Sequence, residues 1–192
     1  MPFAYYDKLT RRQQATYRKS DGIAAVTLND CEPLRNHIAA LEQALAAGER
    51  KAITAACGRL CRGICKDQGT APVSVRVLAR RPASATEELH GLYELFEDRP
   101  ARITVWMRTA ARRQVVAFRS FLRTVLHELC HHLDYLLLEL DDSYHTEGFF
   151  RRESSLFGQL APEAQQGKRT AAKKTPRKPG KHNKISAQLD LF

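Results

Sequence analysis

No apolar run in this 192-residue chain approaches the roughly 20 residues that a membrane-spanning helix requires. The opening residues, Met1-Pro2-Phe3-Ala4-Tyr5-Tyr6-Asp7-Lys8, lack the long apolar stretch of a secretion signal. Cysteine is scarce and odd in number, five in all, which argues against a disulfide framework; the expected location is the cytoplasm. No internal repeat is visible. Acids are missing from Lys168 to Lys184, where eight Lys or Arg stand, so most of the formal charge of +10 belongs to that stretch and only +2 to the remainder.

What is present suits one domain with a sizeable core and a tail: 43% hydrophobic and 27% charged residues over this length. Residues 1–70 read as a helical region. Tyr5, Leu9, Gln13, Thr16 and Tyr17 make a weak amphipathic pattern that ends near Ser20-Asp21-Gly22. Asn29 or Asp30 caps a second helix carrying Leu34, Ile38, Leu41 and Leu45, with Pro33 in its first turn and Gly48 at its end. A third runs to about Lys66. Its Cys57, Cys61 and Cys65 share one face, a spacing that a metal site would also show, but Ile53, Ala56, Leu60 and Ile64 interleave with them and predict core packing.

From Pro72 the period changes to two. Val73, Val75 and Val77 alternate with Ser74 and Arg76 as in a strand with one buried face, and Leu89–Phe96 and Arg102–Met107 read as two further strands. Residues 108–113 form a basic connection, suited either to DNA phosphates or to a solvated helix start.

The residues that carry chemistry follow. Val115, Phe118, Leu122, Val125, Leu126, Leu129, Leu133, Leu136 and Leu137 recur at helical steps, and His127-Glu128-Leu129-Cys130-His131 lies among them. At about 3.6 residues per turn, His127 and His131 stand one turn apart on the same side, close enough to share an ion. Glu128 lies beside them, where a carboxylate can take a proton from a metal-activated water. A catalytic zinc usually takes three protein ligands. His145, near the start of a further helix bearing Phe149, Phe150, Leu156 and Phe157, is the favoured third; Glu153 is its rival and Glu147 a weaker one. His132 is assigned a rim or structural role. Asp134 is either an orienting group behind a ligand or a solvated aspartate. Tyr144 and the arginines at 151 and 152 are weak candidates for stabilising an oxyanion.

The pattern His127-Glu128-x-x-His131, about a dozen residues and then His145-x-x-x-Phe149, resembles the zinc-binding pattern of the SprT-like (Spartan-related) metalloproteases. Gly91-Leu92-Tyr93 and Ile103-Thr104-Val105-Trp106 are similar to the paired strands that precede that family's motif helix. The resemblance covers roughly residues 72–158. It departs where the family often has Gly-Pro after the third histidine and this chain has Thr146-Glu147. It implies an α+β, zincin-like domain at 71–162: N-terminal helices, a small mostly antiparallel sheet, an active-site helix and a following ligand helix. It also implies Zn²⁺ on His127, His131 and His145, Glu128 as the catalytic base, and protein substrates on DNA. In such folds a strand bordering the cleft pairs with extended substrate, and Ile103–Met107 is either that edge or an ordinary strand.

Residues 163–187 have no apolar periodicity and are expected to be a disordered basic tail. Lys168, Arg169, Lys173, Lys174, Arg177, Lys178, Lys181 and Lys184 suit non-specific, salt-sensitive binding of DNA, or simply solubility. The chain closes on Gln188-Leu189-Asp190-Leu191-Phe192. This resembles the Gln-Leu-x-Leu-Phe peptide by which bacterial polymerases and repair proteins dock on the sliding clamp. The resemblance implies a nucleoid-associated protein recruited to replication sites. A chance apolar end, or a strand docking back on the domain, is the plainer alternative. The function expected from the whole is a zinc metallopeptidase acting on DNA-associated proteins, DNA–protein crosslinks among them. Two alternatives stand beside it: a non-proteolytic zinc-containing adaptor between DNA and clamp, and a metallohydrolase of a non-protein amide.

Overall fold

The computed structural model describes residues 3–82 and 89–162. Its helices begin where the sequence supplies caps. The Thr10 hydroxyl accepts from the Gln13 N–H while the Gln13 side chain accepts from the Thr10 N–H, and this reciprocal cap starts α1 (Arg11–Gly22). Asp30 accepts from the Glu32 N–H to start α2 (Cys31–Ala47), which ends at Gly48 with a left-handed φ of 70°. In α3 (Arg50–Asp67), Cys57, Cys61 and Cys65 pack in the core among Ile53, Ala56, Leu60 and Ile64, as the interleaving predicts. All five cysteines are free, and burial pushes the Cys57 thiol up to about 12, so it is packing material rather than a nucleophile.

The sheet corrects one expectation, that of a mostly antiparallel arrangement, and decides between two alternatives for the strand at 103–107. Strands β1 (Ser74–Arg80), β2 (Gly91–Glu94) and β3 (Arg102–Arg108) lie in the order β1-β3-β2. β2 pairs antiparallel with β3, but β1 pairs parallel with β3 from Ser74↔Arg102 to Arg80↔Arg108, so the sheet is mixed and its longer pairing is the parallel one. The strand at 103–107 is therefore central, not an edge. Its composition explains this: Ile103, Val105 and Met107 fill one face while Thr104 and Trp106 are buried on the other, as in a strand covered on both sides. The edge strand that packs beside α4 is the short β2, whose Leu92 is exposed.

Val75, Val77, Tyr93, Ile103 and Val105 share the sheet face that packs on α3 and α4. Helix α4 (Phe118–Leu136) is buried on most of its circumference, against β2, β3 and the last helix, α5 (Glu147–Leu160). One continuous apolar cluster joins α2 and α3 to the sheet, α4 and α5, so residues 1–70 contribute to the same core as 71–162. α5 starts after His145, with Thr146 as its cap, and its Phe150 is 41% exposed rather than packed. Residues 109–114 form a turn closed by Thr109 N–H to the Gln114 carbonyl, and the helix waits until Phe118. No helix among the described residues is long and apolar enough to cross a membrane.

Candidate metal centre

His127 and His131 come from successive turns of α4, and His145 from the loop just before α5. Their Nε2 atoms converge: 2.9 Å between His127 and His145, and 3.1 Å between His145 and His131. Two ligands about 2.0–2.1 Å from a tetrahedral ion stand roughly 3.3 Å apart, so the three nitrogens fit around one cation. They form the one His, Cys or acidic cluster of that kind among the described residues.

The groups behind the rings decide which nitrogen faces the centre. His127 donates through Nδ1 to Glu153 Oε2 at 3.1 Å, and Glu153 is held from its other oxygen by Arg123 at 2.7 Å. His131 Nδ1 lies 2.7 Å from the Ser143 hydroxyl, which gives its only proton to Asp134 at 2.8 Å. Ser143 must then accept from His131 Nδ1–H. Both imidazoles are thereby fixed as the tautomer whose Nε2 carries a lone pair toward the cluster. Lone pairs converging at this distance repel one another unless a cation or a proton is shared among them. Burial, reinforced by His127, His145 and Arg152, drives the His131 pKa well below its usual value, so the ring is neutral and ready to ligate at neutral pH. Glu153 thus stands behind His127, bonded to its Nδ1, and His145 rather than Glu153 completes the cluster that could hold a metal ion.

Asp134 is fully buried and is paired with Arg152, itself 1% exposed, at 2.8 Å. Arg152 also donates to the carbonyls of Ser20 and Ile23 and to the Ser20 hydroxyl. A chain of contacts therefore runs from His131 through Ser143, Asp134 and Arg152 to the end of α1. The solvated-aspartate alternative is overturned, and so is an oxyanion role for Arg152, since its guanidinium points into the interior. Arg151 pairs with Glu147 on the surface. Tyr144 turns toward α1, its ring 6.1 Å from Tyr17.

The same N-terminal elements fix His145. The Tyr5 hydroxyl donates to the His145 carbonyl at 3.3 Å, and Thr146 caps α5 by accepting from the Phe149 N–H. α5 meets α1 so closely at Gly148 that a Cβ there would lie 2.4 Å from the Ser20 carbonyl oxygen. Here Thr146-Glu147 is a helix start in its own right, with Thr146 as cap and Glu147 as the first-turn acid.

Glu128 is buried beside the cluster. Burial pushes its carboxyl up to about 7, opposed by His127 and by the nearby backbone N–H of Tyr93. His132 is buried as a strut: Nε2–H donates to the Ala71 carbonyl at 2.8 Å, and Nδ1 accepts from the Tyr93 hydroxyl at 3.2 Å, tying β2 to α4.

Sequence reasoning missed Ser143, Tyr5, Tyr93, Arg123 and the buried ion pair. One signal was readable. Asp134 and Arg152 each fall at an apolar spacing of their helix, with Cys130, Leu133 and Leu137 in one case and Phe149 and Leu156 in the other, and opposite charges on two buried faces point to a pair. The arginines and lysines from Lys168 to Lys184 and the peptide Gln188–Phe192 lie outside the described residues. Compared with protein-family models, curated proteins and solved structures, the chain finds no match.

Proposed function

We propose that this chain is a zinc-dependent metallopeptidase of the SprT-like kind, acting on proteins bound or crosslinked to DNA and brought to replication sites by its terminal peptide. One observation carries the reading: three imidazoles, two of them of fixed tautomer, converge on one point, and Glu128, the residue after the first of them, stands beside that point. Three neutral nitrogen donors with no thiolate suit zinc, and a three-ligand set leaves a coordination position for chemistry. When bound, zinc supplies an acidified water and polarises the scissile carbonyl. Glu128 accepts the proton of the attacking water and returns it to the leaving amine. Its raised proton affinity suits both halves of that exchange, and a nearby cation would moderate it. The open edge of β2 offers backbone groups to an extended substrate.

Tethering supplies what tight recognition otherwise would. The basic residues from Lys168 to Lys184 hold the enzyme near phosphates, and Gln188–Phe192 raises its local concentration at the clamp. The test is cleavage of a DNA-bound protein by the full zinc-loaded chain, with and without single-stranded DNA and clamp. The expected result is cleavage that stops on chelation, returns with zinc and is stimulated by DNA. Removing Leu191 and Phe192 is expected to abolish clamp binding while zinc content stays the same. Stoichiometric zinc with no cleavage would leave a clamp adaptor, and cleavage confined to non-protein amides would leave a different hydrolase.

A further inference from the structure

β2 comes closest to α4 at Gly91, directly against Glu128. A Cβ on residue 91 would stand 2.3 Å from Glu128 Oε1, 2.7 Å from Cγ and 2.8 Å from Cδ, distances that non-bonded atoms do not tolerate. The backbone there is strand, with no left-handed φ, so conformational freedom is not what glycine provides. A glycine inside a strand costs stability and commonly marks a close approach of another group. Here the three nearest atoms all belong to Glu128. Two residues on, the Tyr93 hydroxyl is anchored on His132, which ties this part of β2 to α4.

We infer that Gly91 is a positioning residue for Glu128: the missing side chain in β2 is the gap in which the carboxylate sits. The inference rests on the peptidase reading for its catalytic consequence, though not for its geometry. A methyl at position 91 meets the glutamate before it meets any histidine. The flexible glutamate moves, and the metal ligands stay.

The experiment compares the zinc-loaded full chain with Gly91→Ala and, as a control, Gly22→Ala, where a Cβ would meet nothing within 4 Å. For Gly91→Ala the expected result is unchanged zinc content, KM within about twofold and kcat lowered at least about tenfold, the low end of what a mispositioned proton acceptor loses. The control matches wild type throughout. Wild-type kcat together with wild-type Tm in Gly91→Ala would overturn the inference. If wild type cleaves nothing, the functional reading fails, and the Tm comparison between the wild-type and Glu128→Ala backgrounds still decides the positioning. Should alanine lower Tm instead, the same change in a Glu128→Ala background is expected to remove the penalty, and a penalty persisting there overturns the inference as well.

Discussion

Glu128→Gln keeps its zinc and loses about two to four orders of magnitude in kcat, the range that a positioned acid–base group contributes. The substitution is close to isosteric, so the space over Gly91 still accommodates the side chain. None of the three imidazoles uses Glu128 as a hydrogen-bond partner. Their Nδ1 protons or carbonyls go to Glu153, Ser143 and Tyr5 instead. Metal content and KM are therefore expected to hold while the proton transfer is lost. Undiminished cleavage by the purified variant would remove Glu128 from the mechanism.

Asp134→Ala is expected to be the most damaging change outside the ligands. It leaves the Arg152 guanidinium buried without a counter-charge and the Ser143 hydroxyl without its acceptor. Removing one partner of a buried ion pair costs about 3–5 kcal/mol, a large share of the roughly 5–15 kcal/mol that holds an ordinary domain together. Tm should fall by on the order of 10 °C. Zinc affinity should fall about 10–100-fold, because His131 loses the support that orients it. Asp141→Ala, which breaks the exposed pair with Arg12, is the control and should change neither quantity. A variant at Asp134 with wild-type Tm and zinc affinity would show that the chain of contacts from α1 to His131 carries no load.

Much of this molecule was legible because local rules and tertiary structure agree. Asp30, Pro33 and Gly48 mark the ends of α2 by their own backbone chemistry, and His127, Glu128 and His131 are placed by helical geometry alone. His145 required more than periodicity, since it lies in a loop; the preference of metals for neutral imidazole singled it out over Glu153, and the resemblance agreed. The sheet was misread for a physical reason. Alternation shows which side chains of a strand are buried, but not which neighbour its hydrogen bonds reach, and the parallel pairing of β1 with β3 skips over β2 in sequence. Phe150 was placed on the packing side because aromatic residues usually are. Its neighbour Phe149 takes the buried position, and Phe150 is left beside His145 at the surface. Long-range polar contacts such as Ser20 to Thr146, 126 residues apart, leave no local trace in the chain.

Zinc binding itself decides the matter most directly. Equilibrium zinc titration and metal analysis should be run on the wild-type chain beside His145→Ala and Glu153→Gln. One zinc per chain is expected for wild type, affinity lost to the point that His145→Ala does not retain the metal through buffer exchange, and a decrease of only about 10–100-fold for Glu153→Gln. A wild-type chain that takes up no divalent cation, or one whose binding depends on Glu153 more than on His145, would contradict the account.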